Sequence, residues 1–505
     1  MSVRRSSMVV MASSMLVYLI SFANQLLIAK KFGTGVRLDA YFAATNIPLA
    51  VSNIIGACFT YAVVPSLVRN CLEKENRKSL LSGFLLSLLC VSVGFLIIGL
   101  SVPSLGGQYW EQFGSYAREA KLSGAIAWAT AGVFCLTALS DALYNATGKF
   151  QFPVLAYLPS YILTALACLT FGGEYGGVAL ALATLLGYLV MWPKRLSDQI
   201  SEVRDRPDFE YAKSTLKQVP TMLLAVSSLY AFPVVDSILG PAAGEGVVSI
   251  LGMSARLVST LGVIIALGPF GVAIPALSEL SRDGKPEEFI TRSLRYLRVA
   301  MTVLALITGW LVALRTPIIQ LLFERGRFTP QSTAQLSDLM KFTIPGAFFM
   351  ICSMLLVRLL AADGRLSTAA KTGLLGVLVY AVGFAGLSRY GESGIGLANG
   401  LAWLIYFVAI FTLFVRPHRA FFSMLDNIRF GTKLLGAFLI SFGLSFLSAQ
   451  LVPMQSLISP ILGLFLSVLG FGLYAKLSGL QEFEVVARPL LSRLRSLRKT
   501  PSNSQ

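Results

Sequence analysis

The chain has 505 residues, of which 55% are hydrophobic and only 13% are charged, and its mean hydropathy is +0.71. This composition excludes a water-soluble globular protein. The net charge of +17 could indicate nucleic-acid binding, but the basic residues lie between long apolar stretches, where anionic lipid headgroups account for them.

The apolar residues form about fourteen successive runs, each long enough to cross the hydrocarbon core of a bilayer as a helix. We therefore predict an all-α polytopic membrane protein. The first run follows a basic start, but further apolar runs succeed it, so we interpret it as a retained helix rather than a signal peptide. The predicted spans are 8–30, 39–68, 79–102, 122–146, 151–172, 175–193, 217–239, 247–279, 294–314, 336–361, 368–388, 393–415, 433–452 and 457–477.

The basic residues are distributed unevenly between the two sides of the membrane. If the N-terminus is cytoplasmic, the cytoplasmic segments carry about three times as many Lys and Arg as the opposite side. This positive-inside bias predicts that both termini lie in the cytoplasm.

Short landmarks recur at similar spacing in the two halves of the chain. This pattern predicts two six-helix units of the same orientation, related by an axis along the membrane normal. The alternative is that membrane helices share Gly and Pro turns by chance. The paired landmarks are Pro65 with Pro275, Gly148 with Gly364, and Gly176 with Gly394.

The repeat predicts how the chain divides. Two six-helix lobes are followed by two further transmembrane helices, and basic segments connect or end these units. We predict an N-terminal lobe (1–193), a cytoplasmic linker (194–216), a C-terminal lobe (217–415), a basic interfacial linker (416–432), two extra helices (433–479) and a basic cytoplasmic tail (480–505).

Two stretches of the sequence carry distinctive motifs. The first is Ala29-Lys30-Lys31-Phe32-Gly33-Thr34-Gly35, followed by Leu38-Asp39-Ala40-Tyr41-Phe42. The second is Leu322-Phe323-Glu324-Arg325-Gly326-Arg327-Phe328-Thr329-Pro330. Both motifs resemble the lipid II flippase family known as MurJ or MviN, and the fourteen-span plan is similar to that of the family along nearly the whole chain.

The resemblance implies the multidrug/oligosaccharidyl-lipid/polysaccharide exporter fold in a bacterial inner membrane. It implies two lobes around a central cavity and two extra helices that form a groove for a polyprenyl tail. The implied substrate is a polyprenyl-diphosphate-linked sugar that moves from the cytoplasmic to the outer leaflet by alternating access, for peptidoglycan biosynthesis or polysaccharide export. The implied partners are this lipid-linked glycan, membrane lipids and envelope-biosynthesis enzymes.

The chain departs from the family pattern in the cavity. Tyr18, Asn24 and Ser52 align with positions that usually carry arginine. Arg256 is retained, whereas the family's glutamate three residues further on is Ser259. Because the cavity then carries less positive charge, a diverged member that handles another lipid-linked glycan, such as an exopolysaccharide repeat unit, fits better than lipid II.

Arg256 is the main candidate for contact with the diphosphate. It lies in the middle of a predicted span, where an isolated charge costs about 2.5–3.5 kcal/mol on insertion scales, and a guanidinium pairs well with phosphate oxygens. The alternative is a buried ion pair with Asp236. Arg358 lies near the cytoplasmic end of its span, where we expect it to reach the membrane surface.

Asp39 and Asp236 are the most prominent acidic candidates. Asp39 opens the second span, and we weigh capping of that helix against a role in the cavity. Asp236 lies deeper, and we weigh coupling to a proton or cation against an ion pair with Arg256.

The first span carries a polar stripe formed by Ser14, Tyr18, Ser21 and Gln25, with Asn24 beside it. Spacings of three and four residues place the stripe on one helical face. It either lines the cavity or joins the helix to its neighbours.

The sequence shows no catalytic triad, no metal-ligand spacing and no phosphate-binding loop of ATPases. We therefore predict a transporter rather than an enzyme, without cofactor, metal site or nucleic-acid partner. Two alternatives to a flippase are a cation-coupled multidrug antiporter of the same superfamily and a non-transporting scaffold in envelope assembly.

Overall fold

The computed structural model describes residues 3–70, 74–105, 107–146, 151–171, 176–202, 217, 219–421, 423–451 and 458–483. Within these ranges it does not describe the side chains of 3–11, 59–70, 74–83, 145–146, 193, 196–202, 261–276, 278 and 420–421. Several predictions lie outside the described part: the landmark side chains at 65 and 275, Gly148, most of the linker 194–216, and residues 484–505 of the tail.

Every regular element in these described ranges is a helix, so the fold is all-α. Helices satisfy their own backbone hydrogen bonds, which a bilayer requires of any segment that crosses it. The elements are α1 (Val3–Phe32), α2 (Val36–Asn70), α3 (Lys74–Ser101), α4 (Gly107–Glu111), α5 (Ala117–Ala146), α6 (Gln151–Leu155), α7 (Leu158–Phe171), α8 (Gly176–Glu202), α9 (Val219–Tyr230), α10 (Phe232–Ala243), α11 (Val247–Arg282), α12 (Pro286–Phe323), α13 (Pro330–Ala362), α14 (Leu366–Ala370), α15 (Leu375–Leu387), α16 (Gly391–Val415), α17 (Met424–Leu451) and α18 (Ile458–Ser478).

The helices agree with the predicted spans. Ten helical segments of the described chain are long and apolar enough to cross a membrane, or eleven if the bent pair α9 and α10 forms one span. One of these segments, Leu366–Arg419, contains two predicted spans, and two shorter apolar helices, Gly176–Trp192 and Val247–Thr260, lie on two more. The structure is therefore consistent with about fourteen spans.

Some spans are broken rather than continuous. The fifth consists of α6 and α7, and the eleventh consists of α14 and α15, so the same member of each predicted six-helix unit opens with a five-residue helix. The seventh span bends by 52° between α9 and α10. The shared break in the fifth and eleventh spans supports the interpretation of the chain as a repeat.

The helices pack mainly within each half of the chain. In the first half α5 contacts α2, α3 and α8, and in the second half α16 contacts α13 and α15. The halves meet where α1 and α2 pack against α9, α10 and α11, a boundary that we call the seam. The last two helices, α17 and α18, pack against each other and against α12.

Candidate functional site

Arg256 extends from α11 at the seam. Its side chain is exposed, and it forms no hydrogen bond or ion pair with the residues that the structure describes. It lies close enough to the phenols of Tyr18, Tyr41 and Tyr188 to interact with them electrostatically. The guanidinium of Arg256, in the second half of the chain, thus faces tyrosines of the first half without an ionic partner among the described residues.

These tyrosines belong to a larger group, the tyrosine wall, in which each phenol interacts with Arg256 or with another member. The rings of Tyr157 and Tyr188 meet edge to face at 6.0 Å between centroids, and both lie beside the buried Phe134 at 6.3 and 5.8 Å. A phenol both donates and accepts hydrogen bonds, and its ring offers an apolar face. The wall consists of Tyr18, Tyr41, Tyr157, Tyr161 and Tyr188.

A buried ion pair lies near the wall. The Arg195 Nη1 atom of α8 lies 3.1 Å from the Asp141 Oδ1 atom of α5, and both side chains are mostly buried. The pair interacts electrostatically with Tyr157 and Tyr188. Because its two charges compensate each other, it joins two helices without adding net charge to the site.

Arg358 on α13 is half-buried and has no hydrogen-bond or ion-pair partner among the described residues. We expected it to reach the membrane surface, but it also interacts electrostatically with Tyr18. Two guanidinium groups of the second half therefore influence the same phenol.

The polar stripe of α1 is largely buried. Asn24 and Gln25 are 7% and 5% exposed, and the Asn24 Oδ1 and Gln25 Nε2 atoms find no hydrogen-bond partner in the described part of the chain. Buried polar atoms normally have such partners. These two amides are therefore available to a ligand or to water.

Ser52 and Ser259 use their hydroxyls within their own helices. The Ser52 Oγ atom donates to the carbonyl of Leu49 at 2.9 Å, and the side chain is 1% exposed. The Ser259 Oγ atom donates to the carbonyl of Arg256 at 3.0 Å. Both hydroxyls therefore bond to backbone carbonyls, and neither side chain carries a charge.

Asp236 lies in a separate aromatic enclosure within the second half. Its Oδ1 atom accepts a hydrogen bond from the hydroxyl of Tyr380 on α15, and not from Arg256. The Tyr380 ring stacks on Phe232 at 4.6 Å, and Phe232 stacks on Trp403 of α16 at 4.4 Å. The carboxyl group is thus held at the bend of the seventh span, one turn after the break.

Asp39 caps a helix of the other half rather than its own. Its Oδ2 atom accepts from the Gly246 amide at 2.6 Å, and its Oδ1 atom accepts from the Ser249 amide at 2.7 Å. These amides begin α11, where the helix dipole favours a negative charge. The carboxylate therefore ties α2 to the start of the helix that carries Arg256.

Further bonds join the two halves at the same end of the bundle, which we call the Gly33 end. The Thr34 and Ser332 hydroxyls lie 2.6 Å apart, and the Arg327 amide donates to the Lys30 carbonyl at 2.9 Å. Gly33 has φ of +69° and lies directly against the backbone of Arg327, so a side chain there would clash. The two resemblance motifs thus meet in space and close this end of the seam.

The opposite end, which we call the Asp363 end, carries a cluster within the second half. Asp363 accepts from the Ser281 hydroxyl of α11 at 2.8 Å and from Arg365 at 3.2 Å, and His418 Nε2 lies 3.5 Å away. Arg365 also donates to the Leu413 carbonyl of α16 at 3.0 Å. The cluster holds the ends of α11, α13 and α16 together.

Residues 28–464 match the profile of a family described as Lipid II flippase MurJ. A probable lipid II flippase MurJ of Thermotoga maritima is 23% identical over 484 residues, which cover 92% of this chain and 94% of the relative. A probable lipid II flippase MurJ of Vibrio cholerae is 25% identical over 382 residues, which cover 70% of this chain and 71% of the relative.

Solved structures share the fold. A lipid II flippase MurJ in an inward closed conformation superposes with a TM-score of 0.77 at 19% identity, covering 96% of this chain and all of that one. An inward-facing multidrug resistance transporter of the MATE family and MOP superfamily superposes with a TM-score of 0.65 at 16% identity, covering 82% of this chain and 99% of that one.

Proposed function

This chain belongs to the lipid II flippase MurJ family, and we propose that it moves a polyprenyl-diphosphate-linked cell-envelope glycan across the bacterial inner membrane by alternating access. The family match extends over most of the chain and includes both motifs that close the Gly33 end. Moving such a lipid between leaflets makes and breaks no covalent bond, so the required chemistry is binding, shielding and release.

The observation that carries the proposal is the unpaired Arg256 inside the membrane helix α11, in the first third of its length. A charge at this depth is costly unless a cavity or partner accommodates it. The described residues offer Arg256 no anion, and a diphosphate supplies one through charge-assisted hydrogen bonds. We propose that Arg358, which also interacts electrostatically with Tyr18, binds the second phosphate.

The glycan is proposed to lie against the tyrosine wall. Sugar hydroxyls pair with phenols and amides, and the wall adds ring faces beside them. The family resemblance implies arginine at the positions of Tyr18 and Asn24, so we propose that this site carries less positive charge than the sites of its relatives. We infer that the glycan carries fewer negative charges than lipid II, as a neutral exopolysaccharide repeat unit does.

We assign the Gly33 end to the outer face and both termini to the cytoplasm because of the positive-inside bias. With the seam bonded at the Gly33 end, the structure then represents a state closed to the outside. The pair α17 and α18 is proposed to guide the polyprenyl tail, and Asp236 with Tyr380 is the proposed coupling element.

The test replaces Arg256 with Ala and with Lys in proteoliposomes that carry a fluorescent polyprenyl-diphosphate glycan. Loss of a charge-assisted contact predicts a flipping rate about 10- to 100-fold lower for Arg256→Ala. Arg256→Lys should retain part of the rate, since an ammonium keeps the charge but loses the bidentate geometry.

Arg292→Ala is the matched control, because Arg292 is an exposed arginine paired with Glu288 at 3.1 Å on α12. It should leave the rate unchanged. A normal rate for Arg256→Ala, at an equal amount of protein in the membrane, contradicts the proposed role of this arginine.

A further inference from the structure

A tyrosine between the third and fourth spans reaches across to the second half of the chain. Tyr109 lies on α4, and its hydroxyl donates to the Ser237 carbonyl of α10 at 2.7 Å. This bond is separate from those of Asp39 and Thr34, although it joins the same two halves. It ends on the backbone of a helix rather than on a loop.

The Ser237 carbonyl is available because of a proline. In an α-helix a carbonyl accepts from the amide four residues later, which for Ser237 is position 241. That residue is Pro241, which has no N–H to donate. A buried carbonyl without a donor is unfavourable, and the Tyr109 hydroxyl supplies the missing hydrogen bond.

The tyrosine is held rigidly in position by its neighbours. Its ring meets Trp110 edge to face at 4.8 Å and Phe113 at 5.9 Å, and both of these residues are buried. The Trp110 Nε1 atom donates to the Leu105 carbonyl at 2.9 Å, which fixes the short segment onto itself. The hydroxyl is therefore directed at α10 by a packed aromatic group.

The bond also ends next to a buried acid. Asp236 directly precedes Ser237 and accepts from Tyr380, while the Ser237 hydroxyl donates to the Pro233 carbonyl at 2.9 Å. The turn that accepts the bond from Tyr109 is thus the turn that holds the Asp236 carboxyl group at the bend of the seventh span.

We propose that Tyr109 is a positioning residue that stabilises closure of the Gly33 end by bonding the carbonyl left free by Pro241, and so ties closure to the turn of Asp236. The inference rests on the alternating access of the proposed function. It is tested by gate closure without substrate, so it can fail while transport stands, and transport can fail while it stands.

The reporter is a disulfide across the seam. Thr34 and Ser332 have hydroxyls 2.6 Å apart, so the double variant Thr34→Cys/Ser332→Cys should cross-link when this end is closed. The full chain in proteoliposomes is oxidised, and the linked peptide is quantified over time by mass spectrometry. Tyr109→Phe removes only the hydroxyl, and we expect cross-linking to slow about two- to tenfold, the factor that one net hydrogen bond supplies.

Pro241→Ala provides the decisive second variant. It returns an N–H to position 241, which can bond the Ser237 carbonyl within the helix, so Tyr109 loses its particular advantage. In the Pro241→Ala background, Tyr109→Phe should therefore change the cross-linking rate much less than it does alone. Such non-additivity marks two residues that act on one group.

Tyr116→Phe is the matched control, since Tyr116 lies on the same side and contacts Arg37 through its ring face at 5.6 Å. It should leave cross-linking unchanged. Two results overturn the proposal: an unchanged rate in Tyr109→Phe, or equal effects of Tyr109→Phe with proline and with alanine at position 241.

Discussion

Arg195 and Arg256 are both arginines of membrane helices, but their surroundings differ. Arg195 is buried and paired with Asp141, whereas Arg256 is exposed at the seam and has no ionic partner in the described chain. A paired charge inside a protein serves the fold, because removal of one partner leaves the other uncompensated. An unpaired one is available to a substrate.

We predict that Asp141→Asn destabilises the protein, because Arg195 then remains buried with an unneutralised charge. The expected loss is about 3–5 kcal/mol. The double variant Asp141→Leu/Arg195→Met should recover most of it. Thermal unfolding in detergent measures both, and equal instability of the single and double variants contradicts the prediction.

The two acids show how far sequence reasoning reaches at the scale of residues. It identified Asp39 and Asp236 as unusual, since both interrupt apolar runs. It could not identify their partners, because Gly246 lies in the other half of the chain and Tyr380 lies on α15, five helices after α10. The spacing of residues does not reveal how these helices pack. Sequence analysis identified Tyr18 as a candidate, but it missed the other members of the tyrosine wall because tyrosines inside apolar runs count as hydrophobic.

At the scale of elements, the N-terminal amides of two helices donate hydrogen bonds to carboxylates of other helices. Asp39 of α2 binds the first amides of α11, and Glu119 of α5 binds the Gly177 amide at the start of α8. The first bond crosses between the halves and the second stays within one. A comparison of the Asp39 cap with the Glu119 cap therefore separates the effect of helix capping from the effect of closing the Gly33 end.

We predict that Asp39→Ala raises hydrogen exchange at the amides of Gly246 and Ser249 by about tenfold or more, because each loses a bond to a charged acceptor. Mass spectrometry of the peptide at the start of α11 measures this. Glu119→Gln should act on Gly177 and leave that peptide unchanged. Exchange at α11 that responds equally to both variants refutes the assignment.

The element boundaries were predictable from hydropathy, but the breaks were not. Pro233 lies two residues after Ala231 and has no N–H to donate within the helix, so the helix can bend there. The bend measures 52°, and beside it Phe232 stacks on Tyr380 and on Trp403, contacts that involve three helices. A local sequence signal therefore indicates where a helix can break and not how it then packs.

For the whole molecule, Arg298 of α12 is one of several residues that attach the last two helices to the second half, beside the hydrogen bonds from Trp310 to Pro460 and from Ser441 to Leu306. Arg298 donates to the Asn427 Oδ1 atom at 2.9 Å, lies over the Phe430 ring at 5.4 Å, and lies 3.9 Å from the Glu482 carboxylate after α18. These contacts join both ends of the α17–α18 pair to the second half. The sequence predicted this pair as separate helices but not its attachment.

We predict that Arg298→Ala loosens the pair and increases cleavage by trypsin in the segment before α17, because the hydrogen bond and the cation–π contact are both lost. Time-resolved proteolysis of reconstituted protein measures the rate. Arg295→Ala, at an exposed position of the same helix, is the control. Equal cleavage in the two variants contradicts the attachment.

The length of α11 has a mechanical consequence. The helix has 36 residues and is therefore about 54 Å long. Asp39 binds its N-terminal end, and Asp363 binds its C-terminal end. The Asp363 cluster also holds the ends of α13 and α16, so the C-terminal end of α11 cannot move without them. When Asp39 releases the amides of Gly246 and Ser249, the start of α11 is the part that can move, and Arg256 lies within the first third of the helix. We infer that Arg256 moves together with the start of α11 when the Gly33 end opens. Substrate binding and substrate release would then depend on the movement of the same helix.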